Sequence, residues 1–198
     1  PPGVVVMLTA EGVDRFPATI RSRLAKLRLQ AVPEVTIAAW LEERYAVASY
    51  DAAAAAALAG GSPGLALWLL AKDAPAHYAA LTGRLATAAG AGEAGIAGVA
   101  DSLGAMLEAG EAALPRELVS QLVRRAVAAR LGLELAPLAA GEAPVLADLG
   151  GGRLDRLWEV WDKLAVLDDV AERLSLDRPS LLVDIAASLA GAEPAPRR

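Results

Sequence analysis

The sequence predicts a mainly α chain that begins with the end of an α/β domain. Three observations predict it. Apolar residues recur at helical spacing from Pro33 to Leu189. Only two segments, Val4-Val5-Val6-Met7-Leu8-Thr9 and Ala25-Lys26-Leu27-Arg28-Leu29, look like strands. Two strands do not make a stable sheet, so the natural protein is expected to extend upstream of residue 1.

Each helix has a reason. Pro33 fits a first helical position, followed by the apolar face of Val35, Ala38, Ala39, Trp40 and Leu41. Asp51 reads as the N-cap of an alanine helix that ends at Leu58-Ala59, where Gly60-Gly61 stop it. Ser62 caps a third helix with Pro63 at its first position and Leu65, Ala66, Leu69 and Leu70 as its stripe. A fourth is expected over Pro75–Ala88. Val99, Leu103, Met106 and Leu107 continue the helical spacing. From Pro115 a helix puts Leu118, Val119, Leu122, Val123, Ala126 and Val127 on one side and Arg116, Arg124, Arg125 and Arg130 near the other. Residues 133–152 read as a loop or linker. Leu154 to Leu174 reads as the longest amphipathic helix, and a last helix carries Leu181, Leu182, Ile185 and Leu189. The domains expected are 1–31, the end of the α/β domain; 32–73, a three-helix unit; and 74–198, a larger helical domain.

Bulk numbers narrow the function. Hydrophobic residues are 55% of the 198, but the source is largely alanine, and the run from Ala52 to Ala71 is broken at Gly60-Gly61-Ser62-Pro63-Gly64. A membrane span is therefore not expected. A net charge of -5 argues against a domain built mainly to grip nucleic-acid phosphates. The absence of cysteine fits a cytoplasmic compartment and, with one histidine, leaves no ligand set for structural zinc.

Two short motifs carry a resemblance. Pro17-Ala18-Thr19-Ile20-Arg21-Ser22-Arg23-Leu24 is similar to the "LPTIRSRC" segment of clamp-loader subunits. About forty residues on, Gly60-Gly61-Ser62-Pro63-Gly64-Leu65-Ala66-Leu67 resembles the "GSPGRAL" start of a lid helix in the delta-prime type of these AAA+ subunits. A third block, Leu157-Trp158-Glu159-Val160-Trp161-Asp162-Lys163-Leu164 followed by Leu174-Ser175-Leu176-Asp177-Arg178, resembles the alphaproteobacterial "WLELWEKL…LNLDRK" pattern. Residues 75–150 match only in being helical.

The resemblance implies an AAA+ α/β domain, a three-helix lid and a helical collar that joins a ring. It implies a non-hydrolysing subunit of the bacterial DNA polymerase III clamp loader. The partners would be the delta and gamma/tau subunits, with the β sliding clamp and primed DNA reached through the complex. The family's phosphate loop and zinc module would lie upstream; ATP would be bound by neighbouring subunits, and no cofactor is expected here. By position, Arg23 would be the arginine that reaches a neighbour's ATP in trans, with Ser22 beside it. Leu24 departs from the family's cysteine.

The residues by themselves leave blander readings open. Arg21, Arg23, Lys26 and Arg28 could be solvated charges around an edge strand. Gly64 and Leu65 stand where ATP-binding relatives carry a sensing arginine, although Ser62-Pro63 is also simply a helix start. Trp158 and Trp161, three apart, read first as core and second as interface anchors. Arg116, Arg124, Arg125 and Arg130 read first as a solvated helix face and second as contacts to DNA phosphates or a neighbouring helix, with Arg124 and Arg125 the candidate interface cations. Glu159, Asp162, Asp168 and Asp169 read as the solvated side of their helix, and His77 as a surface residue. A gamma/tau-type ATPase fragment and a generic helical interaction domain are the competing functions.

Overall fold

A computed structural model describes residues 3–10, 12–88, 91–110, 113–151, 154–165 and 178–191. The chain divides into two compact units, Pro1–Gln30 and Ala31–Arg198.

In the first unit a 3-10 turn at Val13–Arg15 precedes a short helix, α1, at Ala18–Arg21. The two expected strands are corrected here. Among the described residues of the chain there is no strand, and Val4–Thr9 and Ala25–Leu29 have no ladder. Met7 is 88% exposed and Leu27 86%. A strand exists only through backbone pairing with a neighbour, and apolar side chains alone do not supply one.

Among its described residues the second unit is built of helices: α2 Glu34–Tyr45, α3 Ser49–Leu58, α4 Pro63–Ala71, α5 Ala74–Ala88, α6 Gly92–Gly110, α7 Ala113–Arg130, α8 Glu142–Gly150, α9 Leu154–Ala165 and α10 Arg178–Ala190. α3 packs on α2, α4 and α5; α6 packs on α5, α7 and α10; α8 bridges α5 and α7; α9 lies on α7 and α10. One continuous apolar core runs from Ile37 and Leu41 through Leu58, Leu69, Leu81, Leu103 and Leu122 to Leu149, Val160 and Ile185.

Local chemistry explains the boundaries. α2 starts one residue later than expected, with Pro33 outside it, and ends at Ala46, which adopts a left-handed φ of 54° and donates its N–H to the Glu42 carbonyl. α3 begins at Ser49 after Ala48, so Asp51 is not the cap; it lies in the first turn, where a carboxylate favours the helix dipole. Ser62 does cap α4: its hydroxyl accepts from the Leu65 N–H at 3.3 Å, with Pro63 at the first position. The preceding Gly61 has φ +89°, and a Cβ there would lie 2.5 Å from the Ala31 Cβ. Its carbonyl accepts from the Val32 N–H, so this glycine turn is fastened to the chain entering α2.

α7 ends in a Schellman motif. Gly132 N–H bonds to the Ala129 carbonyl and Leu133 N–H to the Ala128 carbonyl, with Gly132 at φ 77°. The expected linker 133–152 is corrected by α8. Val145, Leu146 and Leu149 share one helix face and are buried; the surrounding glycines masked that spacing. The second half of the expected long helix, the Leu174–Arg178 motif up to Asp177, and Asp168 and Asp169 lie outside the described residues.

Candidate functional site

The Arg23 motif folds as a single closed turn. Pro17 precedes α1 with φ -53°, and its carbonyl accepts from both Ile20 and Arg21. Ser22 N–H then reaches Ala18, and Arg23 N–H reaches Ile20 at 3.0 Å. The Ser22 hydroxyl donates to the Thr19 carbonyl at 3.3 Å, satisfying a carbonyl left over at the helix end. Ser22 thus serves the turn, and the Arg23 backbone is held by it while the side chain is exposed. Among the described residues no carboxylate pairs with Arg23. Ile20 and Lys26 beside it are also exposed.

Charge sets this region apart. Residues 1–30 contain five Lys or Arg and two acids, a formal +3; the chain's -5 therefore leaves -8 on residues 31–198. The cationic side chains of Arg23, Lys26 and Arg28 all face solvent.

α4 offers no cation. From Pro63 to Ala71 it is Pro, Gly, Leu, Ala, Leu, Trp, Leu, Leu, Ala, with Gly64 open to space and Leu65 half-buried.

A polar cluster that the sequence did not reveal lies inside the second unit. The Glu142 carboxylate is 1% exposed and accepts four hydrogen bonds. Arg125 donates from Nε to Oε1 at 2.7 Å and from Nη2 to Oε2 at 3.1 Å. Tyr78 donates its hydroxyl to Oε1 at 2.7 Å, and Leu138 its N–H to Oε2 at 2.7 Å. Arg125 Nη2 also donates to the Ala136 carbonyl at 2.6 Å. Burial pushes the Glu142 carboxyl upward, but Arg125, Tyr78 and Leu138 outweigh it and hold the group below its usual range. Burial, then the bond to Glu142, pushes the Tyr78 hydroxyl well above its usual range.

In this cluster Arg125, a candidate interface cation by sequence, is bonded inward. Its side chain is 12% exposed and ties α7 to α8 and to the loop before α8, while Tyr78 brings α5 to the same carboxylate. Arg124 does face solvent, bonded to Glu117 at 2.9 Å. Arg130 points back to the Gly150 carbonyl, and Arg116 is exposed. A signal for the cluster existed in part: Glu142 opens a run with helical apolar spacing, but its partners are 17 and 64 residues away.

The two tryptophans of α9 are not core. Trp158 is 69% exposed and Trp161 37%, while Val160 between them is fully buried. Lys163 turns inward with Val160 and donates to the Ser188 hydroxyl of α10 at 3.3 Å. Glu159 and Asp162 are exposed, as the wet-face reading expects. His77 is half-buried. Among the described residues no group of three or more His, Asp or Glu could hold a metal, and no helix is long and apolar enough to cross a membrane. No protein-family model, curated protein or solved structure matches the chain.

Proposed function

We propose that this chain is the C-terminal portion of a non-hydrolysing clamp-loader subunit of the delta-prime type, and that Arg23 completes the ATP site of a neighbouring subunit. The observation that carries this reading is Arg23 itself. It is an exposed arginine on a backbone fixed by its own hydrogen-bonded turn, inside a motif that resembles the clamp-loader signature. Phosphoryl transfer spreads negative charge over the γ-phosphate, and a guanidinium presented from outside can hold two of its oxygens. The local +3 charge of residues 1–30 favours approach to a polyanion.

A second support is the helix start at Ser62. It keeps the cap of the lid motif but carries no arginine through Ala71, which fits a subunit that does not sense ATP. In this reading residues 1–31 close the AAA+ α/β domain, 32–73 form the lid and 74–198 the collar. The collar holds delta and gamma/tau in a ring that places the β clamp on primed DNA.

The test is Arg23→Ala in the full-length protein, reconstituted with delta and gamma/tau. Ring assembly stays intact by size-exclusion chromatography, and ATP hydrolysis at the adjacent site falls by a factor on the order of 10³. Arg23→Lys, which keeps charge but not the fork, restores little of it. Unchanged hydrolysis at that site sinks the role.

A further inference from the structure

We infer that the outward face of α9 is a docking surface for a basic, amphipathic protein segment, with Trp158, Trp161 and Asp162 as its contacts. This stands independently of Arg23. The rotation of α9 is fixed by two inward groups three residues apart: Val160, fully buried, and Lys163, bonded to Ser188. With 3.6 residues per turn, Trp158 then lies almost opposite them. Trp161 and Asp162 follow Trp158 by three and four residues, so all three meet in one patch. Glu159 is exposed beside it.

The chemistry of this patch selects its occupant. Indole faces attract guanidinium and ammonium groups, and they give large apolar contact area besides. A carboxylate one turn away can pair with the same cation. Residues 31–198 carry -8, which attracts a basic segment and repels nucleic acid and anionic lipid. A second copy would bring the same acidic face against this one. A cationic helix with one apolar side satisfies both the indoles and the carboxylates.

The experiment titrates the whole chain with a fluorescently labelled synthetic peptide, Arg/Lys on one helical face and Leu on the other, followed by anisotropy. A scrambled peptide of the same composition serves as control. Saturable binding is expected, weakened about tenfold by the double change Trp158→Ala, Trp161→Ala. Asp162→Lys, which keeps both indoles, weakens it as well. Circular dichroism shows both variants folded, since the altered side chains are exposed. Equal binding of the scrambled peptide, or unchanged affinity of the double variant, overturns the inference by reducing it to bulk charge. Dimerisation of the chain that the double variant abolishes overturns it in favour of a second copy. Binding to zwitterionic vesicles with none to the peptide overturns it in favour of lipid.

Discussion

Arg125 and Glu142 form a two-pronged ion pair in the interior of the helical unit, Nε to Oε1 at 2.7 Å and Nη2 to Oε2 at 3.1 Å. Breaking a buried pair from one side leaves an uncompensated charge and costs about 3–5 kcal/mol. Arg125→Ala should lower the urea-unfolding free energy by that amount. In a Glu142→Ala background the same change should cost about 2 kcal/mol less. Strict additivity of the two changes would show that the pair carries no coupling.

The same cluster sets the pH limits of stability. Glu142 is held below its unfolded value, so its contribution is present above the unfolded carboxylate range, about pH 4, and is lost as pH falls through the lower folded value. Tyr78 is held above its unfolded value. Its contribution is complete below about pH 10 and is lost as pH rises beyond it. Thermal unfolding of Tyr78→Phe should therefore lose its alkaline sensitivity while remaining acid-sensitive. An alkaline profile identical to that of the unaltered protein counts against this assignment.

Two glycines three residues apart should respond oppositely to alanine. At Gly61 the new methyl meets Ala31 at 2.5 Å on a backbone with φ +89°, a change expected to cost about 2 kcal/mol or more. At Gly64, inside α4, it meets nothing within 4 Å and should add about 0.5 kcal/mol of stability. Chemical denaturation of the two variants distinguishes them, and destabilisation at Gly64 would contradict the open space there.

Ala46 closes α2 with a left-handed φ of 54°. An L side chain pays about 1–2 kcal/mol for that region, and glycine does not. Ala46→Gly should raise the melting temperature despite deleting a methyl group. A lower melting temperature would mean that the methyl contributes more than the strain removed.

The helical part of the fold was legible because its signals are local. Ser62-Pro63 announces α4, and the spacing Leu118, Leu122, Ala126 announces the inner face of α7. α8 is not legible because Gly150-Gly151-Gly152 reads as the end of a linker, although Gly141 precedes the helix in a left-handed turn. The Glu142 cluster was hidden for a different reason: a buried carboxylate cannot be told from a wet one until Arg125 and Tyr78 are brought to it. Trp158 misled because a large aromatic at helical spacing normally points inward, and only the inward pair Val160 and Lys163 shows which way α9 is turned. The apolar run Val4–Thr9 has strand composition, but composition cannot provide the neighbouring chain that a ladder requires.

The alanine seam of α3 has an evolutionary consequence. Ala52, Ala55 and Ala56 are wholly enclosed, and each carries a single methyl group. Nearly every available replacement is larger and must push a neighbouring helix aside. Mutational drift at these positions is therefore one-sided: selection can admit glycine or serine but has little room for growth. Ala53, on the exposed side of the same helix, is under no such constraint. Among orthologues the three enclosed positions should stay small while position 53 wanders freely through polar and charged residues.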